Sequence, residues 1–120
     1  MKVAVTSQGP DLTSAVDPRF GRAKFFIVVD TETGEFTTQD NTQNLNAVQG
    51  AGIQAAQNVV SLGVDAVVTG NVGPKAFTAL QAGNVKAYIG AAGSVSDTVE
   101  QLKADRLECV SKPNVEGHWV

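Results

Sequence analysis

The feature that most restricts the fold is an alternation of short valine-rich segments with helical ones in the second half of the chain. Residues 51–62 place apolar side chains at helical spacing before Gly63, and residues 64–69 (VDAVVT) are typical of a buried strand. A helix over 74–82, a strand over 85–89 and a helix that begins at Ser94 or Ser96 and ends near residue 104 follow. Such alternation indicates right-handed βαβ units on a parallel sheet.

The first half of the chain predicts strands without intervening helices. Residues 2–7 are short and valine-rich, and residues 24–30 (KFFIVVD) are apolar and β-branched. A turn over 31–34 and an alternating pattern over 35–39 predict a hairpin partner, while residues 107–110 offer a short additional strand. The expected order is β-β-β-α-β-α-β-α, an α/β fold whose first three strands form an antiparallel meander.

Length and composition predict one folded domain. The chain has 120 residues, of which 42% are hydrophobic and 18% charged, so it is able to build a core. We expect a single domain over residues 1–112 and a tail over 113–120. Nine basic and twelve acidic residues give a net charge of −3, which argues against a nucleic-acid partner.

The apolar segments are too short for a membrane protein. The start of the chain lacks the long apolar run of a signal peptide, and no stretch approaches the roughly 20 residues of a membrane span. The sequence therefore predicts a cytoplasmic protein with no membrane partner.

Few residues in the sequence are suited to catalysis or to direct metal ligation. Cys109 is the single cysteine, which excludes a multi-cysteine metal site within one chain, and its apolar neighbours predict a small core residue. The single histidine, His118, lies in the tail. A nuclease with two metal ions needs acidic side chains on the sheet, and the first strand carries no carboxylate. We therefore expect a protein that is not an enzyme and has no catalytic residues.

Two glycine-rich loops follow neighbouring strands at the end of the sheet where α/β proteins bind ligands. Gly70-Asn71-Val72-Gly73-Pro74-Lys75 leads into a helix N-terminus, where free N–H groups favour anions. Gly90-Ala91-Ala92-Gly93-Ser94 repeats the pattern after the next strand. The alternative is that both are ordinary turns with capping glycines. The spacing around Lys75 differs from that of a P-loop.

The segment Arg19-Phe20-Gly21-Arg22 is unusual in an acidic protein, because it places two arginines and an aromatic residue in one loop. One interpretation is that the arginines pair with Asp11 or Asp17 and that Phe20 covers the end of the sheet. The other is that the segment forms a cationic, partly apolar rim for an anionic ligand.

Several motifs in order carry a family resemblance. They are KVAVTS at the start, DPRFGRAKFFIVVD, the polar run that closes on Gly50, GVDAVVTGNVGPKAFTAL, and VKAYIG with the capped helix after it. Together, over roughly residues 1–107, they resemble the dinitrogenase iron–molybdenum cofactor biosynthesis family. The resemblance implies a ribonuclease H-like fold with a mixed five-stranded sheet and helices on its faces.

The resemblance also implies what the protein binds. Members carry anionic metal–sulfur clusters or their precursors, and the chain looks most like the small single-domain form that holds a molybdenum–copper sulfide cluster non-covalently. A related iron–molybdenum sulfur cluster is the other expected cofactor. The alternative is a regulatory or interaction module that acts with an ATPase, a cofactor-delivery protein or a cell-division factor.

We place the expected cluster at the carboxyl ends of the parallel strands, with no direct protein ligand to the metals. The cofactor-binding residues are expected to be Arg19, Phe20, Gly21, Arg22, Gly70, Asn71, Val72, Gly73, Lys75, Gly90, Gly93 and Ser94. The rival placement is the loop over residues 41–50, where relatives carry histidine and this chain has none.

Overall fold

The computed structural model describes residues 1–41 and 51–110, which form one mixed sheet. The tail expected over 113–120 lies outside this range. The strands are β1 (Lys2–Ser7), β2 (Phe25–Asp30), β3 (Phe36–Asp40), β4 (Ala66–Val68), β5 (Lys86–Ile89) and β6 (Glu108–Val110).

The sheet has the strand order β3-β2-β1-β4-β5-β6. Strand β1 is parallel to β4, and β4 is parallel to β5, as the βαβ pattern predicts. Strands β1, β2 and β3 form the expected antiparallel meander. The mixed, ribonuclease H-like architecture is confirmed, but the expected count of five strands is wrong. The described chain has six, because the short run at its end pairs antiparallel with β5.

Helices cover both faces of this sheet. They are α1 (Ala51–Ser61), α2 (Pro74–Ala82) and α3 (Val95–Lys103), and a short 3-10 turn spans Phe20–Arg22. Helices α1 and α2 pack against the face that carries Ala4 and Val67. Helix α3 and the long loop after β1 pack against the opposite face, which carries Val3, Val5 and Val68. The central strands are apolar at successive positions because both of their faces are buried.

Strand β6 corrects a prediction about Cys109. The thiol is exposed and free rather than part of the core. Residues 108–110 form an edge strand of three residues in which Glu108 and Cys109 are both exposed. An apolar run predicts burial only where another layer covers the strand, and in the described chain the side chain of Cys109 stays exposed.

The topology brings several loops to one end of the sheet, which we call the carboxyl edge. Strands β1, β4 and β5 end there, at Ser7, Val68 and Ile89. The antiparallel partners add the start of β2 and the end of β3, because Ser7 lies opposite Phe25 and Phe25 opposite Asp40. Helices α2 and α3 both begin from loops that leave this edge.

Within the described part of the chain, no helix is long and apolar enough to cross a membrane. The longest, α1, has 11 residues, whereas a bilayer needs about 20.

Candidate functional site

A buried hydrogen-bond cluster fixes the loop after β1 to the carboxyl edge. The hydroxyl of Thr6 donates to the carbonyl of Asp17 at 2.7 Å, and it lies 2.9 Å from the hydroxyl of Thr69. The N–H of Asp17 donates in turn to the carbonyl of Thr6 at 2.9 Å. Thr6 and Thr69 are fully buried. The loop therefore returns across the ends of β1 and β4 in a defined position.

The same loop meets the one that follows β4. Arg19 and Asn71 form a parallel bridge, and the side-chain amide of Asn71 donates to the carbonyl of Pro18 at 3.3 Å. Gly70 makes this approach possible. A Cβ at Gly70 would lie 2.7 Å from the Cα and 2.8 Å from the carbonyl oxygen of Pro18, closer than any side chain tolerates. The third predicted segment joins these two, because the N–H of Gly90 donates to the carbonyl of Gly70 at 3.2 Å.

The arginines of the first segment are not paired with carboxylates. Asp17 accepts from the backbone N–H of Arg19 at 3.0 Å, so its carboxylate orders the loop rather than the guanidinium. Within residues 1–41 and 51–110, no carboxylate lies within 4.0 Å of the charged groups of Arg19, Arg22 or Lys75. Arg19 and Lys75 are exposed, and Arg22 is half-buried. The interpretation in which Asp11 or Asp17 neutralises these arginines is therefore wrong.

The N-terminus of α2 is uncapped as far as the described residues show. Gly73 is the N-cap and Pro74 follows, so this helix end has no side-chain cap. The N–H groups of Lys75 and Ala76 have no hydrogen-bond acceptor among the described residues. Uncapped N–H groups at a helix start carry a partial positive charge, which favours an anion.

The N-terminus of α3 differs from that of α2 and corrects part of the predicted site. Ser94 and Asp97 form a reciprocal capping box, with the Asp97 N–H donating to the Ser94 hydroxyl at 3.1 Å. The N–H groups of Val95 and Ser96 donate to carbonyls of Ser14 and Leu12, each at 2.9 Å. The first N–H groups of α3 are thus all used, and a carboxylate already lies beside them. The loop Gly90–Ser94 consequently cannot supply a helix N-terminus to an anion, although its position at the carboxyl edge is as expected.

Two predicted side chains lie in the core instead of on the rim. Phe20 is fully buried, with its ring centroid 5.8 Å from that of Phe26, and Val72 is fully buried as well. The 3-10 turn that carries Phe20 packs under α1, which the sequence did not indicate. An apolar wall is still present at the edge. Small side chains, among them those of Pro18 and Ala91, line an open groove of about 440 Å³ between the first loop and the loop after β5.

The rival loop lies outside the described residues except for Asn41, which the sequence places in an exposed run. Asn41 is 2% exposed and anchors the end of β3, since its amide donates to the Ala23 carbonyl at 2.8 Å. Its side-chain oxygen is buried and has no hydrogen-bond partner among the residues that the structure describes. Sequence reasoning missed this residue because nothing in a polar run distinguishes one buried asparagine from its neighbours.

The described residues contain no group of three His, Cys, Asp or Glu side chains that could hold a metal ion. The carboxyl edge instead gathers guanidinium, ammonium and backbone N–H donors, while the carboxylates of Asp17 and Asp97 there accept from backbone N–H groups. These donors bind anions by charge-assisted hydrogen bonds.

Comparisons with known proteins agree with this fold. The orange protein from Desulfovibrio gigas, solved in its apo form, is 40% identical, with 95% of this chain and 96% of that chain covered and a TM-score of 0.92. A candidate NifB protein from Thermotoga is 38% identical, with coverage of 97% and 98% and a TM-score of 0.82. A Methanocaldococcus jannaschii protein of unknown function is 27% identical over 110 residues, 90% of each chain.

The model of the family described as dinitrogenase iron-molybdenum cofactor matches residues 1–105. That range includes every strand except β6 and every predicted site residue. This chain is therefore a member of the dinitrogenase iron-molybdenum cofactor family.

Proposed function

We propose that the protein is a non-enzymatic carrier or scaffold for an anionic metal–sulfide cluster, held non-covalently at the carboxyl edge. The cargo is a molybdenum–copper sulfide cluster or a precursor of the iron–molybdenum cofactor. One observation carries the proposal: among the described residues, Arg19, Arg22 and Lys75 lack carboxylate partners, and they belong to segments that meet around the uncapped N-terminus of α2.

The charges of this region suit an anion with several negative charges. The start of α2 contributes about half a positive charge, and the N–H groups of Lys75 and Ala76 are directed outward from it. Arg19, Arg22 and Lys75 can each add a charge-assisted hydrogen bond of about 1.5–3 kcal/mol before solvent screening. Because two of these groups are exposed, salt should weaken the binding.

The donor set fits a cluster that brings its own sulfide shell better than it fits a bare metal ion. Thiolates, imidazoles and carboxylates are the usual protein ligands of such metals, and they are not grouped in the described residues. Sulfide atoms at the surface of a cluster accept hydrogen bonds, which the edge can donate. The groove beside Pro18 and Ala91 supplies an apolar surface for the remainder of the cluster.

The family match supports a metal–sulfur cluster as the cargo. The family takes its description from the iron-molybdenum cofactor of dinitrogenase, and the match spans 105 residues of this chain. The resemblance to the orange protein extends over 95% of the chain. We extend the cluster-binding role to this protein on that basis together with the charges of the carboxyl edge.

Reconstitution tests the proposal. Metal-free protein is mixed with tetrathiomolybdate and a copper salt, desalted, and examined by visible absorption and elemental analysis. We expect a charge-transfer band, molybdenum and copper in fixed ratio to protein, and less retained metal as ionic strength rises. A protein that leaves the column colourless would instead support the alternative of a regulatory or interaction module acting with an ATPase or a cofactor-delivery protein.

A further inference from the structure

Strand β3 is an open edge of the sheet. In an antiparallel pair, only every second residue of one strand forms hydrogen bonds to the other. Two bonds at the ends of β3 show which of its residues bond to β2. The N–H of Asp30 donates to the carbonyl of Glu35, and the N–H of Asn41 donates to the carbonyl of Lys24, at 2.9 and 2.8 Å. Every second residue from Glu35 therefore faces β2. The N–H and C=O groups of Phe36 and Thr38 consequently point away from the sheet.

This edge lacks the features that usually block strand addition. Residues 36–40 (FTTQD) contain no proline and no lysine, and the register with β2 runs without a bulge from Phe36 to Asp40. Among the described residues, nothing lies beyond β3 in the sheet order. An unpaired edge of this kind can accept an extended segment from another chain.

The two faces beside this edge differ in character. Phe36 lies opposite Val29 and is 41% exposed, which makes it one of the two large hydrophobic side chains so exposed in the described chain. An open groove of about 600 Å³ beside this edge is lined by Asp30, Glu35 and Thr37, and Phe36 contributes to its rim as well. Lys2 also lines the groove, so its carboxylates outnumber its ammonium group by two to one.

We propose that β3 is a docking edge for an extended segment of a partner protein, with basic side chains on one face and apolar side chains on the other. The segment would extend the sheet by hydrogen bonds to Phe36 and Thr38. Its apolar side chains would cover Phe36, and its basic side chains would enter the groove beside Glu35. Alternating side chains reach opposite faces of a strand, so one peptide satisfies both requirements.

A second copy of this chain fits the edge less well. Antiparallel pairing of two copies about Thr38 would set Phe36 against Asp40 of the second copy, an apolar side chain opposite a charged one. A basic–apolar segment has no such mismatch, so charge complementarity favours a different partner.

The docking edge leaves the carboxyl edge open. Phe36 and Glu35 lie beside Asp30 and Lys2, at the end of the sheet away from Ser7. A carrier docked in this way keeps its cargo accessible. The docking inference itself does not depend on the cluster, and its test uses metal-free protein.

The test uses a capped seven-residue peptide of alternating lysine and valine, with a glutamate–valine peptide as its charge control. Binding is followed by amide NMR shifts and by hydrogen exchange in ¹⁵N-labelled protein. We expect the lysine peptide to slow exchange at the Phe36 and Thr38 N–H groups and to leave Thr37 and Gln39, already paired with β2, unchanged. The glutamate peptide should not bind.

Two variants of Thr38 separate strand pairing from simple charge attraction. Thr38→Pro removes an outward N–H and should weaken peptide binding about tenfold, the equivalent of one hydrogen bond. Thr38→Val is the matched control, because both variants lose the hydroxyl bond to the Pro10 carbonyl at 2.7 Å and only the proline lacks the N–H. Glu35→Lys should make the protein bind the glutamate peptide more tightly than the lysine peptide, without altering the strand.

Three results would overturn the proposal. One is peptide-induced protection away from β3, and another is equal binding by Thr38→Pro and Thr38→Val. The third is slowed exchange at Phe36 and Thr38 in the free protein that grows with protein concentration, which would assign the edge to a second copy. Because the exchange pattern is measured in the unaltered protein, the test stands even if a variant fails to fold.

Discussion

The hydroxyl oxygens of Thr6 and Thr69 lie 2.9 Å apart at the ends of adjacent parallel strands, and both side chains are fully buried. Thr6 also donates to the carbonyl of Asp17 at 2.7 Å. This pair connects the sheet to the loop that carries both arginines of the proposed site. The position of the cationic rim therefore depends on two small buried hydroxyls.

Replacing Thr6 by valine should lower the free energy of unfolding by about 1–3 kcal/mol. The substitution preserves shape but removes the donor that lies 2.7 Å from the buried Asp17 carbonyl. Only the Thr69 hydroxyl, 3.5 Å away, then remains as a donor, and a poorly paired buried polar group is costly. Chemical denaturation measures the change. The exposed Thr33→Val is the control and should cost much less. A Thr6→Val protein as stable as the unaltered one would show that water or Thr69 replaces the lost bond.

Gly70→Ala should destabilise the protein by about 1–3 kcal/mol, because the new methyl group would overlap the main chain of Pro18. Thermal unfolding checks the loss. Pro18→Ala should not rescue it, since the three nearest atoms are the Cα, the carbonyl oxygen and the Cβ of Pro18, and alanine keeps all three. Full rescue would mean that the pyrrolidine ring, and not the backbone, makes the tight contact.

The two helix starts at the carboxyl edge should respond differently to substitution. Ser94→Ala removes the capping box of α3 and should cost about 1 kcal/mol of stability, with cluster uptake unchanged. Lys75→Gln should leave stability nearly unchanged and weaken uptake of the thiomolybdate–copper cluster. Denaturation and metal analysis of both variants provide the comparison. If a folded Ser94→Ala protein lost cluster uptake, the start of α3 would have to be part of the binding site.

Asp30 should contribute to the decrease in the free energy of unfolding at acidic pH. Its carboxylate accepts the N–H groups of Glu32 and Thr33, and the first of these bonds chiefly holds the pKa of Asp30 below its ordinary value. A lowered folded-state pKa adds stability above the unfolded pKa, and this is lost as pH falls through the folded value. Asp30→Asn should therefore make the free energy of unfolding depend less on pH between the folded-state and unfolded-state pKa values of Asp30. An unchanged decrease at acidic pH would contradict the assignment.

The sequence predicted the helices and strands, and the loops that gather at the carboxyl edge of the sheet, with useful accuracy. The strand at Lys2–Ser7 and the helix at Pro74–Ala82 have the expected bounds, because valine runs and a proline–glycine pair mark them locally. The meeting of the first loop with the Gly70–Lys75 loop also follows from parallel topology. Local patterns and the βαβ rule are sufficient for these features.

The sequence did not predict how each position at the edge is used. Phe20 became a core residue because α1 packs over its 3-10 turn, a contact between distant segments. The N–H groups of Val95 and Ser96 are occupied by carbonyls more than 80 residues earlier in the chain. Cys109 is exposed because β6 is an edge strand. Each depends on tertiary packing, which a one-dimensional pattern does not contain.

The central claim is that the cations of the carboxyl edge hold the cluster, and charge-matched variants test it most directly. Arg19→Gln with Arg22→Gln removes two charges at that edge. Lys2→Gln with Lys86→Gln removes two exposed charges at the opposite end of the sheet, with the same change in net charge. Asn44→Ala with Asn46→Ala addresses the rival loop.

The decisive measurement is the amount of molybdenum and copper retained per protein after reconstitution with tetrathiomolybdate and copper, followed by desalting. We predict that the arginine pair loses most of the retained metal, while the lysine pair and the asparagine pair retain as much as the unaltered protein. If the arginine pair retained the full amount while the asparagine pair lost it, the carboxyl-edge account would be contradicted.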